Sequence, residues 1–321
     1  MALTKSKLAI FALGLAFCLA APNPTFAKQA TDAGQTSGSQ DTDATQTEKP
    51  KAKRATEHFM RIRKNYRGQR VALETSITRY ELKNAAGENV TVDLIGAVHI
   101  GEKEYYEALN ERFEQYDSML YELVAPEGTV VPKGGRESEG IPTNPLAAMQ
   151  FGMKETLGLE FQLELIDYNK QNFKHADMSP EEFSESMTNN DESVMKYGLK
   201  AIGQSMAMQA SGKSNDSVGM LMAAFSSNKE MSMRRMFAKQ MKQMEAGMVM
   251  FEGKNGSTIV THRNAKCMEV LEQEIAAGKT NLAIFYGAAH LPDMEQRMLS
   301  DFKAKRGGQF WLEAWRLREK K

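Results

Sequence analysis

VDLIGAVHIGEKEYYEAL, residues 92–109, and AIFYGAAHLPDMEQRML, residues 283–299, are built to one plan. Each passes from an apolar run through Gly-Ala-x-His and an aliphatic residue into an acidic segment with helical character. An apolar run closed by glycine and followed by helical spacing reads as strand, turn, helix. Tyr105, Leu109 and Phe113 recur at fourfold spacing behind the first copy, and the strand-like Ser118–Val124 comes next. Units of this kind assemble parallel strands. Upstream, Arg70–Leu82 and Val90–Ile95 alternate as two strands around a turn at Asn84–Asn89, which adds an antiparallel hairpin. The expected fold is therefore α/β, a mixed central sheet flanked by helices.

The rest of the chain is arranged around these two copies. Lys5 and Lys7, an apolar stretch over Leu8–Ala21 and the small-residue exit Thr25-Phe26-Ala27 read as a cleaved secretory signal over residues 1–27. Its apolar core of about 14 residues is short of the roughly 20 that cross a bilayer, so no stable transmembrane anchor is expected. Cys18 resembles the acceptor of a bacterial lipoprotein signal, but Phe17 stands where such signals carry a small residue, and a lipid anchor is the minor reading. The expected location is the periplasm or the medium. With residues 1–27 removed, Cys267 is the one remaining cysteine and no internal disulfide can form. Residues 28–55 are Gln, Thr, Asp, Ser, Gly and Lys with little to bury, the composition of a disordered linker. The folded domain then covers 56–321.

Within it, Pro126–Pro145 reads as a long loop, and Leu159–Asn172 as a helix or turn feeding a short strand at Phe173. Ser179-Pro-Glu-Glu opens a helix with a serine cap, proline in the first turn and acids at the positive end. Residues 181–250 hold 13 of the 22 methionines and almost no strand signal, so a helical Met-rich insertion is expected there. Its Met-x-Met pairs could suggest copper capture, but residues two apart on a helix point about 200° apart and cannot chelate together. Met233, Phe237, Met241, Met244 and Met248 instead follow helical spacing, a packing face that could also grip a peptide or form a homodimer seam. Ser257–Val260 reads as a strand, Asn264–Ala276 and Pro292–Phe302 as helices, and Gln309–Leu317 as a last strand.

The 41 basic and 41 acidic residues cancel, which leaves no global field for nucleic acid. Chemistry must come from a local site. His99 and His290 close the two repeated strands, and ligands of open α/β sheets bind beyond such carboxyl ends. Glu122 ends a third strand. Two imidazoles and a carboxylate make a divalent-metal set with positions open to water or substrate. Glu160 is a candidate general base, and Asp177, near His175, a candidate orienting partner for a ligand histidine. Cys267 lies on a helix with no base at a recognisable spacing and reads as an inert buried thiol.

The two Gly-x-x-His motifs, the glutamate of Tyr121-Glu122-Leu123, and Arg263-Asn264 ahead of the second motif resemble the TraB/PrgY/GumN superfamily, which includes the TIKI proteases. The resemblance spans roughly residues 90–299. It implies metal-dependent hydrolysis of a peptide or protein substrate, supported by manganese or cobalt rather than zinc. It places His99, Glu122 and His290 at the metal, with Arg263 as an orienting or substrate-binding cation. One departure is His262, where related sequences often carry an acid. Two other readings stay open at the level of sequence: a non-catalytic regulator that binds a peptide or partner through the helical insertion, and a metal-free hydrolase with histidine as base.

Overall fold

A computed structural model describes residues 59–132, 152, 154–193, 195–196, 225–251 and 256–319. The expected signal and linker, 1–27 and 28–55, lie outside the described residues, as do much of the 126–145 loop and residues 197–224 of the expected insertion. The strands are β1 (Met60–Lys64), β2 (Arg70–Lys83), β3 (Asn89–Ala97), β4 (Ile100–Gly101), β5 (Ser118–Tyr121), β6 (Glu160–Phe161), β7 (Phe173–His175), β8 (Asn281–Gly287) and β9 (Lys305–Arg316). The helices are α1 (Lys103–Phe113), α2 (Gln162–Leu165), α3 (Pro180–Asn189), α4 (Lys229–Phe251), α5 (Arg263–Ala276) and α6 (Leu291–Ser300).

Seven strands form one mixed sheet in the order β1-β2-β3-β8-β5-β7, with β9 also on β2. β3, β8, β5 and β7 are parallel. β2 is antiparallel to all its partners: it bonds β1 over its first half, β3 over its second, and β9 along its other edge. Two helical layers cover the sheet. Tyr105, Tyr106, Leu109 and Phe113 of α1, with Phe237 and Ala238 of α4, pack against Leu73, Ile77, Ile95, Met119, Phe285 and Trp315. On the opposite face Cys267, Met268 and Leu271 of α5, with Leu291, Met294 and Met298 of α6, pack against Tyr80, Val92, Leu94, Leu120 and Ile284. Because both faces of β8 are covered, its sequence is apolar at consecutive positions rather than alternating.

The described part of the expected insertion holds the helices α3 and α4, with turns or irregular backbone at 190–193 and 225–228. Ser179 and Glu182 form a reciprocal capping box at the start of α3. On α4, Met233, Phe237 and Met241 do face the core, and Arg234 ties the helix down through Leu157 O, Gly158 O, Arg316 O and Glu102 Oε1. The side chains of Met244 and Met248 lie outside the described residues.

One reading is overturned. Ser257–Val260 is not a strand: Ser257 caps a π-helical turn, Thr258–His262, that runs directly into α5. The β-branched run Thr258-Ile259-Val260 suggested a strand, but the Ser257 hydroxyl accepts from Val260 N, and Thr258 Oγ1 lies 2.8 Å from Ser186 Oγ. Those side-chain bonds hold the wide turn in place of a ladder. β1, unmarked by any motif, was also not expected.

Asp93 is a charge inside β3, 1% exposed, and so needs partners. It accepts two bonds from Arg79, one from Arg112 and one from the Tyr116 hydroxyl at 2.6 Å. Burial pushes its carboxyl up, but these bonds, led by Arg79, win and hold it below the usual carboxylate range. A depressed folded-state pKa gives stability that is present above the unfolded value near 4 and is lost as pH falls through the folded one. Asp93→Asn is expected to cost roughly 1–3 kcal/mol at neutral pH, and to flatten the fall in urea midpoint as the pH drops below about 4 relative to wild type.

Candidate active site

Parallel register brings the site together. Ala97 lies opposite Gly287 and Tyr121 opposite Phe285, so β3, β8 and β5 leave the sheet side by side. Glu122 N still donates to Phe285 O at 3.2 Å, carrying the ladder one residue beyond β5. The two Gly-Ala-x-His turns nearly touch: a Cβ on Gly96 would stand 3.4 Å from Ala288 Cβ. At Gly287 the missing side chain matters chemically, since a Cβ would stand 3.3 Å from Glu122 Oε2, and the Gly287 N–H donates to that oxygen at 2.7 Å.

After Gly287 a tight 3-10 turn, Ala288–His290, leads into α6, which has proline in its first turn. It places the His290 ring, 5% exposed, edge-on to Tyr286. His290 Nε2 lies 3.6 Å from Glu122 Oε1, and its Nδ1 lies 2.7 Å from Asn264 Oδ1. Burial lowers the His290 pKa to about 4, against the opposing pull of Glu122, so the ring is neutral at pH 7. Burial would push the Glu122 carboxyl up, but Arg263 above all holds it well below the usual carboxylate range. Glu122 is thus ionised beside a neutral imidazole.

Arg263 is 7% exposed and bonds protein through all three of its nitrogens. Its Nε donates to Asp177 Oδ1 at 2.9 Å, its Nη2 to both Asp177 Oδ2 and Glu122 Oε1, and its Nη1 to Ile259 O. Asp177 follows β7, so a fourth parallel strand end contributes. Two carboxylates facing one guanidinium leave a net negative charge in the crevice. Asp177 therefore orients Arg263, where the sequence had suggested a ligand histidine.

His99 stands two residues beyond β3, half-buried, and acts electrostatically on both Glu122 and His290. The strip β4–β6 holds its turn: Gln162 N donates to His99 O at 2.9 Å. Glu160 is placed differently. It sits across from Gly101 with its side chain 40% exposed, and pairs with Lys154 Nζ at 2.8 Å. His175 Nε2 is engaged with Leu123 O at 2.6 Å. Burial pushes the Cys267 thiol well above its ordinary value, in keeping with an inert side chain. The residues that sequence reasoning missed are Asn264 as a partner of His290, and Asp293. Only the adjacency of Asn264 to Arg263 pointed toward it, and Asp293 read as an ordinary acid in a first helical turn.

Removing one partner of a buried ion cluster leaves an uncompensated charge. Asp177→Ala is expected to lower stability by about 3–5 kcal/mol, whereas Glu160→Ala, on a solvent-screened pair, should shift it by less than about 1 kcal/mol. Urea denaturation of both variants measures the contrast.

Among the described residues no helix is long and apolar enough to cross a membrane. No protein-family model, curated protein or solved structure matches the chain.

Proposed function

We propose that this chain is an exported hydrolase that cleaves peptide bonds in the crevice beyond β3, β8 and β5, with a divalent metal held by His99, Glu122 and His290. The observation that carries the proposal is that the three strands these residues follow are parallel neighbours, with His290 Nε2 3.6 Å from Glu122 Oε1. Among the described residues no three His, Cys, Asp or Glu side chains are gathered around one point. Two of the three donors, Glu122 and His290, nevertheless fit such an ion. His290 Nε2 and Glu122 Oε1 are 3.6 Å apart, close to the roughly 3–3.5 Å between two ligands each about 2.1 Å from one ion. Glu122 is ionised, His290 is neutral, and its far nitrogen is held by an amide, as a ligand histidine requires.

A divalent ion supplies acidity to bound water and polarises a scissile carbonyl. The chain's own residues prepare for that chemistry. Arg263, clamped by Asp177, keeps Glu122 ionised and aimed, and its burial makes it a positioning group rather than a substrate contact. Gly287 N fixes the second carboxylate oxygen. The α4 helix comes against the His290 turn. Glu160, paired with Lys154 across from Gly101, is left out of the mechanism. The resemblance to the TraB/PrgY/GumN superfamily supports manganese or cobalt as the ion. Metal-free catalysis is less well supported, because a histidine that titrates near 4 is a weak base at neutral pH.

Titration of manganese and cobalt into the purified chain is expected to show about one bound equivalent, lost in the His99→Ala/His290→Ala double variant. Peptide-library cleavage should cease on chelation and fall in His290→Ala beyond the about 10–100-fold that loss of a supporting partner costs. A folded wild-type chain that binds neither ion would overturn the metal reading. Cleavage that survives chelation would favour histidine as base.

A further inference from the structure

We propose that Asn264, pinned by Asp293, is a positioning residue that fixes the tautomer of His290, with the proton on Nδ1 and the Nε2 lone pair turned to Glu122. The inference deepens the hydrolase reading and rests on it for its purpose, though not for its geometry. The two ends of an asparagine amide have nearly the same shape, and only their partners tell oxygen from nitrogen. Here the partners are decisive. Asn264 Nδ2 lies 3.0 Å from the His290 carbonyl oxygen and 2.8 Å from Asp293 Oδ2. A carbonyl oxygen and a carboxylate oxygen both accept, so the group facing them must be the NH2. Asp293 Oδ2 is held in turn by Arg297 Nε at 2.7 Å, and Arg297 Nη2 reaches Thr261 O in the π-helical turn.

With the amide nitrogen fixed, its oxygen is the atom 2.7 Å from His290 Nδ1. An amide oxygen accepts and cannot donate, so Nδ1 must carry the hydrogen. A neutral imidazole has one N–H, and Nε2 is left with its lone pair. That lone pair faces Glu122 Oε1 at 3.6 Å, acceptor toward acceptor, across a gap suited to a cation. The π-helical turn makes the arrangement possible. It delivers Arg263 and Asn264 as the first two residues of α5, about 100° apart around the helix axis. One serves the Glu122–Asp177 pair and the other serves His290.

The test reads the tautomer directly in the full chain, labelled with 15N in its histidine rings and stripped of metal with a chelator. Long-range 1H–15N correlations distinguish a protonated Nδ1 from a protonated Nε2, and the His290→Gln spectrum assigns the signal. Wild type is expected to show His290 with the hydrogen on Nδ1 alone. In Asn264→Ala the Nδ1–H to Nε2–H ratio is expected to fall roughly tenfold, as loss of one buried hydrogen bond predicts. In Asp293→Ala, which leaves the amide one of its two acceptors, a smaller fall in the same direction is expected. A wild-type ring protonated on Nε2, or an unchanged ratio in folded Asn264→Ala, overturns the proposal. Should Asn264→Ala fail to fold, Asp293→Ala decides: a fall supports the relay and an unchanged ratio overturns it. Because the readout needs neither metal nor substrate, a chain that binds no ion would sink the metal reading and leave this result standing.

Discussion

The guanidinium of Arg263 is the cation around which the end of the sheet is organised. Glu122 and Asp177 end two neighbouring parallel strands, and both are almost removed from water. Taking one carboxylate into such surroundings costs several kcal/mol, and a second nearby adds repulsion. Arg263 offsets both at once, through three charged hydrogen bonds in a planar fork that a lysine could not reproduce. Its backbone position is therefore as constrained as its charge, and the π-helical turn ahead of α5 sets that position. Replacing that turn with a regular α-helical one would rotate Arg263 and Asn264 away from their partners together.

The remaining polar groups of the crevice follow from this pairing. Once Arg263 secures one oxygen of Glu122, the other is free to take the Gly287 N–H, and the carboxylate is locked in rotation. His290 meets a fixed anion rather than a mobile one. Its own ring is held on the far side by Asn264 and laterally by Tyr286. Sites held in this way keep their donors in place before a ligand arrives, which lowers the cost of ordering them at the moment of binding. The opposite wall is secured by another buried arginine, Arg234, whose bonds to three backbone carbonyls and to Glu102 fasten α4 beside the His290 turn.

Sequence patterning revealed the sheet and three of the strand ends because these depend on local periodicity and on a repeated motif. The two Gly-Ala-x-His copies announced equivalent strands, and Glu122 lay where a third such strand stopped. What stayed illegible depends on partners far away in sequence. Ser257–Val260 has the β-branched character of a strand, and only the hydroxyl bonds made by Ser257 and Ser186 reveal the π-helical turn. Asp177 was singled out beside His175, yet its bond is to Arg263, 86 residues later. Glu160 carried the right chemistry for a base, but the β4–β6 pairing sets it opposite Gly101 and within reach of Lys154. Asn264 belonged to a recognised motif but with no partner assigned, and Asp293 carries no pattern at all, since an acid near a helix start is an ordinary residue until its amide partner is seen.

β9 has a further consequence for how the chain reaches this state. Trp315 Nε1 donates to Ile100 O, and Glu102 N donates to Ala314 O, so the last strand buttresses the segment that follows His99. The Trp315–Ile100 bond closes 215 residues of chain, and β9 lies along nearly the whole of β2. Contacts of such long range form late and slowly. A ribosome that still holds β9 therefore leaves the segment after His99 without its buttress.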